Sequence, residues 1–339
     1  GDKVLAMQGG CIANRLRCHE LAAFRMPGNL TFEQGSSLLS VYVTSYYALL
    51  HLARMRKGMT ILVHSAMGGV GQAAIALAKY IGAHVIGTAG SPARREKLLA
   101  MGCVGAFNSH DTTWYKDVMA HTQGRGVDIV LNSLAGEHVD LCLEALAPGG
   151  WHCEIGKVDI YADRPLKMAV FRKNLAYRAI DIDRLMMDDP MLAAELTTEC
   201  LELIEKEHVP VLPITCFEYS AHQAALRSMM GGLHEGKIVL TPPAKGATCE
   251  VGDSRPLFGA AADGSPRTVL LSGCLGDFGL RLFAYVIAMG AKHILVLDRD
   301  PKRRRSVEWM RQHAYVNYLM PDSSDVRIEI VRADVASYG

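Results

Sequence analysis

The chain has 339 residues, half of them apolar, and a formal net charge of only +1. That length is enough for two domains, and the balanced charge argues against nucleic acid or a membrane surface as a partner. No apolar run approaches the roughly 20 residues that span a bilayer. No signal-peptide pattern is present, but Gly1 is not a natural start, so a removed leader stays open.

The nine cysteines are scattered along the chain, without a C-x-x-C pair and without the Cys/His spacing of a zinc site. The sequence therefore predicts no metal site. It predicts reduced thiols, as in a cytoplasmic protein.

The N-terminal part of the chain predicts a piece of β structure followed by a helix. Residues 1–27 begin as if inside a β domain, with a turn and then a strand, and a helix is expected from Thr31, which suits an N-cap position. Small and aromatic residues alternate through residues 40–49, which favours a helix packed beside the next motif. Thr44 on this helix is a candidate cofactor contact, although a core position is the commoner role.

The central motif is a strand, a glycine turn and a helix. Residues 60–64 form a short apolar run, residues 66–71 fit G-x-G-x-x-G with Ala66 in the first glycine position, and residues 72–80 continue in a helical pattern. Small residues let the backbone approach a pyrophosphate, whose charge then lies against the N–H groups of the helix N-terminus. A tight turn without a ligand is the alternative. The predicted cofactor contacts are Gly68, Gly69, Val70 and Gly71.

The strand at residues 84–88 indicates which nucleotide is bound. Proteins that bind NAD usually carry an acidic residue about 20 positions after the motif, but here no carboxylate precedes Glu96. A hydroxyl followed by two guanidinium groups suits a 2′-phosphate, because Arg binds phosphate oxygens bidentately. The sequence thus favours NADPH over NADH; a helix N-terminus with a solvated basic turn is the alternative, and both can hold together. The residues assigned to this end are Thr88, Ser91, Arg94 and Arg95.

Strands and helices alternate from residue 60 to about residue 172, which predicts an α/β fold with a doubly wound, Rossmann-like parallel sheet. The predicted strands are residues 61–64, 84–88, 105–108, 127–132 and 151–155, and the predicted helices are residues 69–80, 92–101, 113–121 and 136–146.

Two of these strands end in polar or small residues. Such sheets bind ligands at the carboxyl edge of their strands. Asn132 and Ser133 end one strand and Gly156 follows another, so all three are predicted to contact the cofactor.

Further strands are expected at residues 175–182, 213–219 and 237–240, with helices at residues 190–205 and 220–230. Lys237 is a candidate cofactor contact, and a solvated lysine at a strand start is the alternative. Residues 241–266 are rich in Pro, Gly and Ala and show no apolar period, which predicts a linker.

A second nucleotide-binding pattern follows the linker. A strand at residues 268–271, a glycine loop at 272–279 and a helix at 280–289 precede strands at 294–299 and 326–331. Two such units cannot easily bury both faces of a sheet, so half of a domain is expected. The candidate cofactor contacts here are Gly273, Gly276, Gly279, Arg299 and Asp334.

Two stretches carry a family resemblance. Residues 64–74 (HSAMGGVGQAA) and 124–137 (GRGVDIVLNSLAGE) resemble the enoyl reductase domain of type I polyketide and fatty acid synthases, which belongs to the medium-chain dehydrogenase/reductase superfamily and needs no zinc. The likeness continues at residues 154–160, 171–175 and 236–239. Residues 267–339 resemble the first half of the ketoreductase domain that follows enoyl reductase in such synthases.

The resemblance implies four parts. They are the tail of a GroES-like substrate domain (residues 1–27), an NADPH-binding enoyl reductase domain (28–243), a linker (244–266) and a partial ketoreductase domain similar to short-chain dehydrogenases (267–339). Because much of the substrate-side β domain is then missing, this stretch alone is expected to be weakly active or inactive. Cys274 and Asp277 stand where ketoreductase loops usually have glycine, and a carboxylate there would repel a pyrophosphate.

The reaction implied by the resemblance is NADPH-dependent reduction of a trans-2-enoyl thioester to the saturated thioester. The enoyl chain is linked to the phosphopantetheine of an acyl carrier protein, and the other partners are further domains of a dimeric synthase. Charge that develops on the thioester oxygen and α-carbon requires a cation or a positioned donor. Lys157 and Asp181 are the positions implied for this role. The alternative for Lys157 is an exposed lysine in a loop. The alternative for Asp181 is an aspartate in a salt bridge or turn cap.

Two other functions stay open. A free-standing quinone oxidoreductase shares the cofactor fold, but the linker and the second glycine loop argue against it. A non-catalytic scaffold would keep the fold and bind NADPH without turnover.

Overall fold

The computed structural model describes residues 1–13, 15–232, 234–242, 268–272, 282, 285–287, 289–298 and 327–332. The chain divides into two compact units, Gly1–Ala247 and Thr248–Gly339. None of the helices within these described ranges has the length and apolar character needed to cross a bilayer.

The first unit opens with a short antiparallel pair of strands, β1 (Val4–Ala6) and β2 (Ala23–Arg25). Helix α1 (Phe32–Tyr46) begins at a capping box, in which the Thr31 hydroxyl accepts from the Gln34 N–H and the Gln34 side chain accepts from the Thr31 N–H. Both donors would otherwise lack a partner at the start of the helix. The helix predicted for this region is confirmed.

A six-stranded parallel sheet forms the centre of this unit. Its strands in chain order are β3 (Thr60–Val63), β4 (His84–Ala89), β5 (Gly105–Asn108), β6 (Val127–Asn132), β7 (Leu146–Glu154) and β8 (Ala176–Ala179). Their spatial order is β5-β4-β3-β6-β7-β8, so the winding direction reverses between β3 and β6. The predicted doubly wound α/β fold is confirmed.

Helices cover both faces of the sheet, which explains why its central strands are apolar runs. They include α2 (Gly69–Ile81), α3 (Pro92–Ala100), α4 (Thr113–His121) and α5 (Glu137–Ala145), and the short α6 (Val158–Tyr161) follows β7. Ile61 and Val63 of β3 belong to one buried cluster, with α1 and α2. Leu62, between them, belongs to a second cluster with Trp114 and Leu143. The alternation follows from the two-residue period of a strand.

The C-terminal part of the first unit adds three helices and a separate two-stranded parallel sheet. The helices are α7 (Ile182–Asp188), α8 (Pro190–Glu205) and α9 (His222–Met230), and the strands are β9 (Ile214–Glu218) and β10 (Lys237–Thr241). The prediction of a strand through residue 182 is wrong at its end. Strand β8 stops at Ala179, and Asp181 instead caps α7, because its carboxylate accepts a hydrogen bond from the Arg184 N–H.

The described residues of the second unit form three parallel strands in sequential order, β11 (Thr268–Ser272), β12 (His293–Asp298) and β13 (Arg327–Arg332). The strands predicted there are confirmed. The candidate cofactor contacts of this half lie outside the described residues, as do Cys274, Asp277 and the predicted linker. Those contacts are Gly273, Gly276, Gly279, Arg299 and Asp334.

Candidate active site

The glycine turn after β3 is built for close approach of a ligand to the backbone. Ser65 adopts a left-handed conformation with φ of 50°, and its carbonyl accepts a hydrogen bond from the Gly68 N–H at 2.9 Å. A Cβ on Gly71 would lie 2.6 Å from the Cα and carbonyl oxygen of Ala66. Glycine therefore lets α2 begin directly against the strand end. No side chain caps the first turn of α2, whose N–H groups fit the pyrophosphate of a dinucleotide.

Lys237 lies against the same turn. Gly236 forms a parallel bridge with Gly68, and its N–H donates to the Met67 carbonyl at 3.3 Å. A Cβ on Gly69 would lie 2.8 Å from Cδ of Lys237, so the lysine stem passes over the turn. Burial lowers the pKa of the Lys237 ammonium. An anionic ligand at the turn would offset that cost.

Ser91, Arg94 and Arg95 come together at the carboxyl end of β4. The Ser91 hydroxyl caps α3 by accepting from the Arg94 N–H at 3.3 Å. One guanidinium nitrogen of Arg94 donates to the carbonyls of Gly232 and His234. Arg95 is anchored in the same way, by Nη1 to the carbonyls of Ala89, the last residue of β4, and Gly90. Each guanidinium has further N–H groups that can bind a phosphate.

The point where the sheet reverses carries a pair of hydroxyls. The Ser133 and Ser65 hydroxyls lie 2.9 Å apart, after β6 and β3. Ser133 was predicted as a cofactor contact from the sequence, whereas Ser65 was not. The serine that precedes Ala66 of the motif gives no signal of its own in the pattern.

Two predicted contacts direct their side-chain polar groups into the protein, and a third uses its hydroxyl within its own helix. Thr88 is fully buried, with its hydroxyl 2.9 Å from Nδ1 of His64. Asn132 is also fully buried and is hydrogen-bonded to Leu134 and Glu154. Thr44 is half-buried and donates to a carbonyl of its own helix. The structure therefore does not bring the side chains of Thr88 and Asn132 to the exposed edge.

Lys157 and Asp181 form an ion pair. Nζ of Lys157 donates to Oδ2 of Asp181 at 2.7 Å and to the Ile180 carbonyl at 3.1 Å. Partial burial raises the pKa of Asp181, but the Lys157 hydrogen bond and the Arg184 N–H outweigh it and hold the pKa below its usual value. Lys157 follows β7 and Asp181 follows β8, which are neighbouring parallel strands, so the pair lies at the carboxyl edge of the sheet. A charged ammonium is thus held in place there.

A chain of buried polar side chains, linked through Asn132, lies beneath this edge and was not predicted from the sequence. It includes His64, Cys142, His152 and Glu154, all within the core of the first unit. The available signal was the presence of His64, His152 and Glu154 in or directly after apolar strands, since buried polar groups need partners.

A family comparison matches residues 69–196 to the zinc-binding dehydrogenase family. That name refers to a metal. However, no group of three or more His, Cys, Asp or Glu side chains in the described part of the chain is arranged to hold one. The described residues therefore do not fit a zinc site, and zinc has no part in the chemistry derived below.

Relatives at the sequence level are multidomain synthases. The chain is 34% identical over its whole length to the hybrid PKS-NRPS synthetase pynA of Aspergillus niger. It is 35% identical over 90% of its length to the squalestatin hexaketide synthase of a Phoma species. It spans only 9% and 12% of these two relatives, respectively.

Solved structures with a similar fold include two domains from polyketide biosynthesis. The CurF ER cyclopropanase from the curacin A biosynthetic pathway is 31% identical, with a TM-score of 0.63 and 67% of each chain covered. The CurK enoyl reductase is 33% identical, with a TM-score of 0.61 and 66% of each chain covered. The structural matches assign the chain to the medium-chain dehydrogenase/reductase superfamily, and the fold and glycine turn agree with that assignment. Within that superfamily, the chain belongs to the enoyl reductase domains of polyketide synthases, a family of oxidoreductases that use a nicotinamide cofactor.

Proposed function

We propose that this domain reduces a trans-2-enoyl thioester to the saturated thioester with NADPH, within a type I polyketide synthase. The carrying observation is the Lys157–Asp181 pair at the carboxyl edge of a sheet whose glycine turn fits a dinucleotide. The proposed partners are an acyl carrier protein that presents the enoyl chain on phosphopantetheine, and the other domains of a dimeric, cytoplasmic synthase. The two relatives support these partners, because both are synthases of which this chain is a small share.

Bound NADPH supplies the hydride that adds to the β-carbon of the substrate. Negative charge then develops on the thioester oxygen and the α-carbon, where a fixed positive charge lowers the barrier. Lys157 offers that charge and a proton on Nζ. Asp181 keeps the ammonium oriented through the 2.7 Å contact.

The catalytic test replaces each member of the pair in the intact synthase. We expect Lys157→Ala to lower kcat for a crotonyl thioester by roughly 100-fold or less, and to leave the Kd of NADPH unchanged. Asp181→Asn alone should lower kcat by a smaller factor. In the double variant, the loss of kcat should be smaller than the combined losses of the two single variants, because the side chains act as a unit. Single-turnover kinetics followed by NADPH fluorescence measure the hydride-transfer step.

An exposed lysine on α4 gives the matched control, and Lys116→Ala should leave the rate unchanged. Unchanged hydride transfer in both single variants and the double variant would rule out the assignment of Lys157 and Asp181. Tight NADPH binding without any turnover would instead favour a non-catalytic scaffold.

The preference for NADPH is proposed from the cluster of Ser91, Arg94 and Arg95. We expect NADPH to bind at least tenfold more tightly than NADH, a difference of about 1.4 kcal/mol. Replacing both arginines by Ala should remove most of this difference and leave the Kd of NADH nearly unchanged. Fluorescence titration with each cofactor measures both constants.

Arg56→Ala, at an exposed position that precedes β3, is the control and should keep the preference. Equal affinities of the unaltered protein for NADPH and NADH would contradict the proposed cofactor choice.

A further inference from the structure

We propose that Glu154 is a positioning residue, whose buried carboxylate ties the loop after β6 to the loop after β7 and so shapes the nicotinamide end of the site. This inference rests on the proposed function. Glu154 is the last residue of β7 and is 3% exposed. It is not among the residues that the sequence analysis selected.

The two oxygens of the Glu154 carboxylate bind different loops. Oε1 accepts a hydrogen bond from the Gly156 N–H at 2.8 Å. Oε2 accepts one from Nδ2 of Asn132 at 2.7 Å. A Cβ on residue 156 would lie 2.7 Å from Oε1, so a larger residue there would displace the carboxylate oxygen.

Asn132 completes the connection on the side of β6. Its Nδ2 also donates to the Leu134 carbonyl at 2.8 Å, and its Oδ1 accepts from the Leu134 N–H at 3.1 Å. The amide thus holds the turn that contains Ser133. Through Asn132 and Gly156, one carboxylate fixes the backbone that follows two neighbouring strands, β6 and β7.

His152 supplies a third hydrogen bond to the carboxylate. Its Nε2 lies 2.8 Å from Oε2 of Glu154, and its ring stacks on Tyr177 with centroids 4.8 Å apart. Three hydrogen-bond donors therefore offset the cost of removing the carboxylate from water. Even so, such polar groups add little net stability compared with apolar side chains of the same size. A role in fixing the shape of the two loops accounts for a carboxylate at this position better than stability does.

The sheet order assigns these loops to the nicotinamide half of the cofactor. A dinucleotide crosses the carboxyl edge where the winding reverses, here between β3 and β6. Ser91, Arg94 and Arg95 after β4 lie on the adenosine side. The loops after β6 and β7 lie on the other side, and Lys157 directly follows Gly156.

The test compares two ligands of the same protein. NADPH reaches both halves of the site, whereas adenosine 2′,5′-bisphosphate reaches only the adenosine half. Glu154→Gln keeps the size of the side chain but replaces one acceptor oxygen by an N–H donor facing other donors. We expect the Kd of NADPH to rise about tenfold and the Kd of the bisphosphate to change less than twofold. Calorimetric titration measures both.

An exchange of the two groups provides the rescue. Asn132→Asp combined with Glu154→Gln restores one amide facing one carboxylate but loses the hydrogen bond from residue 132 to the Leu134 carbonyl, so it should recover part of the NADPH affinity. Glu195→Gln, at an exposed position on α8, is the matched control and should change neither constant. If Glu154→Gln does not fold, Asn132→Asp alone sets two carboxylates against each other and must show the same difference between ligands.

If Glu154→Gln weakens the binding of both ligands equally, or does not weaken NADPH binding, the proposed role of Glu154 is wrong. The proposed function of the domain is not affected by either result. An unaltered protein that binds neither ligand would overturn the proposed function together with this inference.

Discussion

His64 follows the apolar strand β3, and its imidazole contacts three other side chains. Nδ1 lies 2.9 Å from the Thr88 hydroxyl, and Nε2 lies 3.2 Å from Sγ of Cys142. The ring meets Trp114 edge-on, with centroids 4.6 Å apart. Burial, together with the nearby His138 and His152, lowers the pKa of His64 to about 3. The folded protein therefore holds this imidazole neutral.

That neutrality makes stability depend on pH. In the unfolded chain a histidine takes up a proton near pH 6.5, so between pH 6.5 and about 3 only the unfolded state is protonated at His64. The unfolding free energy should then fall by up to about 1.4 kcal/mol per pH unit from this residue as the pH drops, and be unaffected by it above pH 6.5. His64→Asn removes the titrating group. We expect the stability difference between the unaltered protein and the variant to shrink as the pH falls from 7 to 4 in urea unfolding.

His84→Asn serves as the control for this series, because His84 is exposed at the start of β4. The difference in unfolding free energy between His84→Asn and the unaltered protein should change much less with pH. A stability difference for His64→Asn that stays constant from pH 7 to pH 4 would contradict the proposed cause.

At the level of elements, the contact between α2 and the end of β3 controls the shape of the cofactor site. The Cβ of an alanine at position 71 would meet the Ala66 backbone at 2.6 Å, and backbone atoms cannot move aside as a flexible side chain can. Gly71→Ala should therefore destabilise the protein by about 1–3 kcal/mol, the usual range for overpacking, although alanine favours helices. Thermal or urea unfolding gives the free energy. Fluorescence titration should also show weaker NADPH binding.

Gly28→Ala is the matched control, since a Cβ there has no atom within 4 Å. Its effect should stay within about 0.5 kcal/mol. An equally small effect for Gly71→Ala would show that the helix can move away from the strand without cost.

Across the whole first unit, local patterns predicted most elements. The apolar run of β3 and the Thr31 cap of α1 depend on residues within a few positions of each other, and both are found as expected. Helix α7 was missed because Ile180 and Ile182, in the segment around Asp181, resemble a continuing strand. Its start depends on the Asp181 cap, which a β-type pattern conceals.

The sequence by itself determined the doubly wound fold, the glycine turn and the basic cluster after β4, because each is a pattern of neighbouring residues. Only the tertiary structure decided which distant side chains meet. The Lys157–Asp181 contact joins residues 24 positions apart, and the Asn132–Glu154 contact joins residues 22 apart. The tertiary structure also buried the side chain of Thr88 against His64. These outcomes depend on strand order and register, which are set by packing against both faces of the sheet and leave no pattern along the chain.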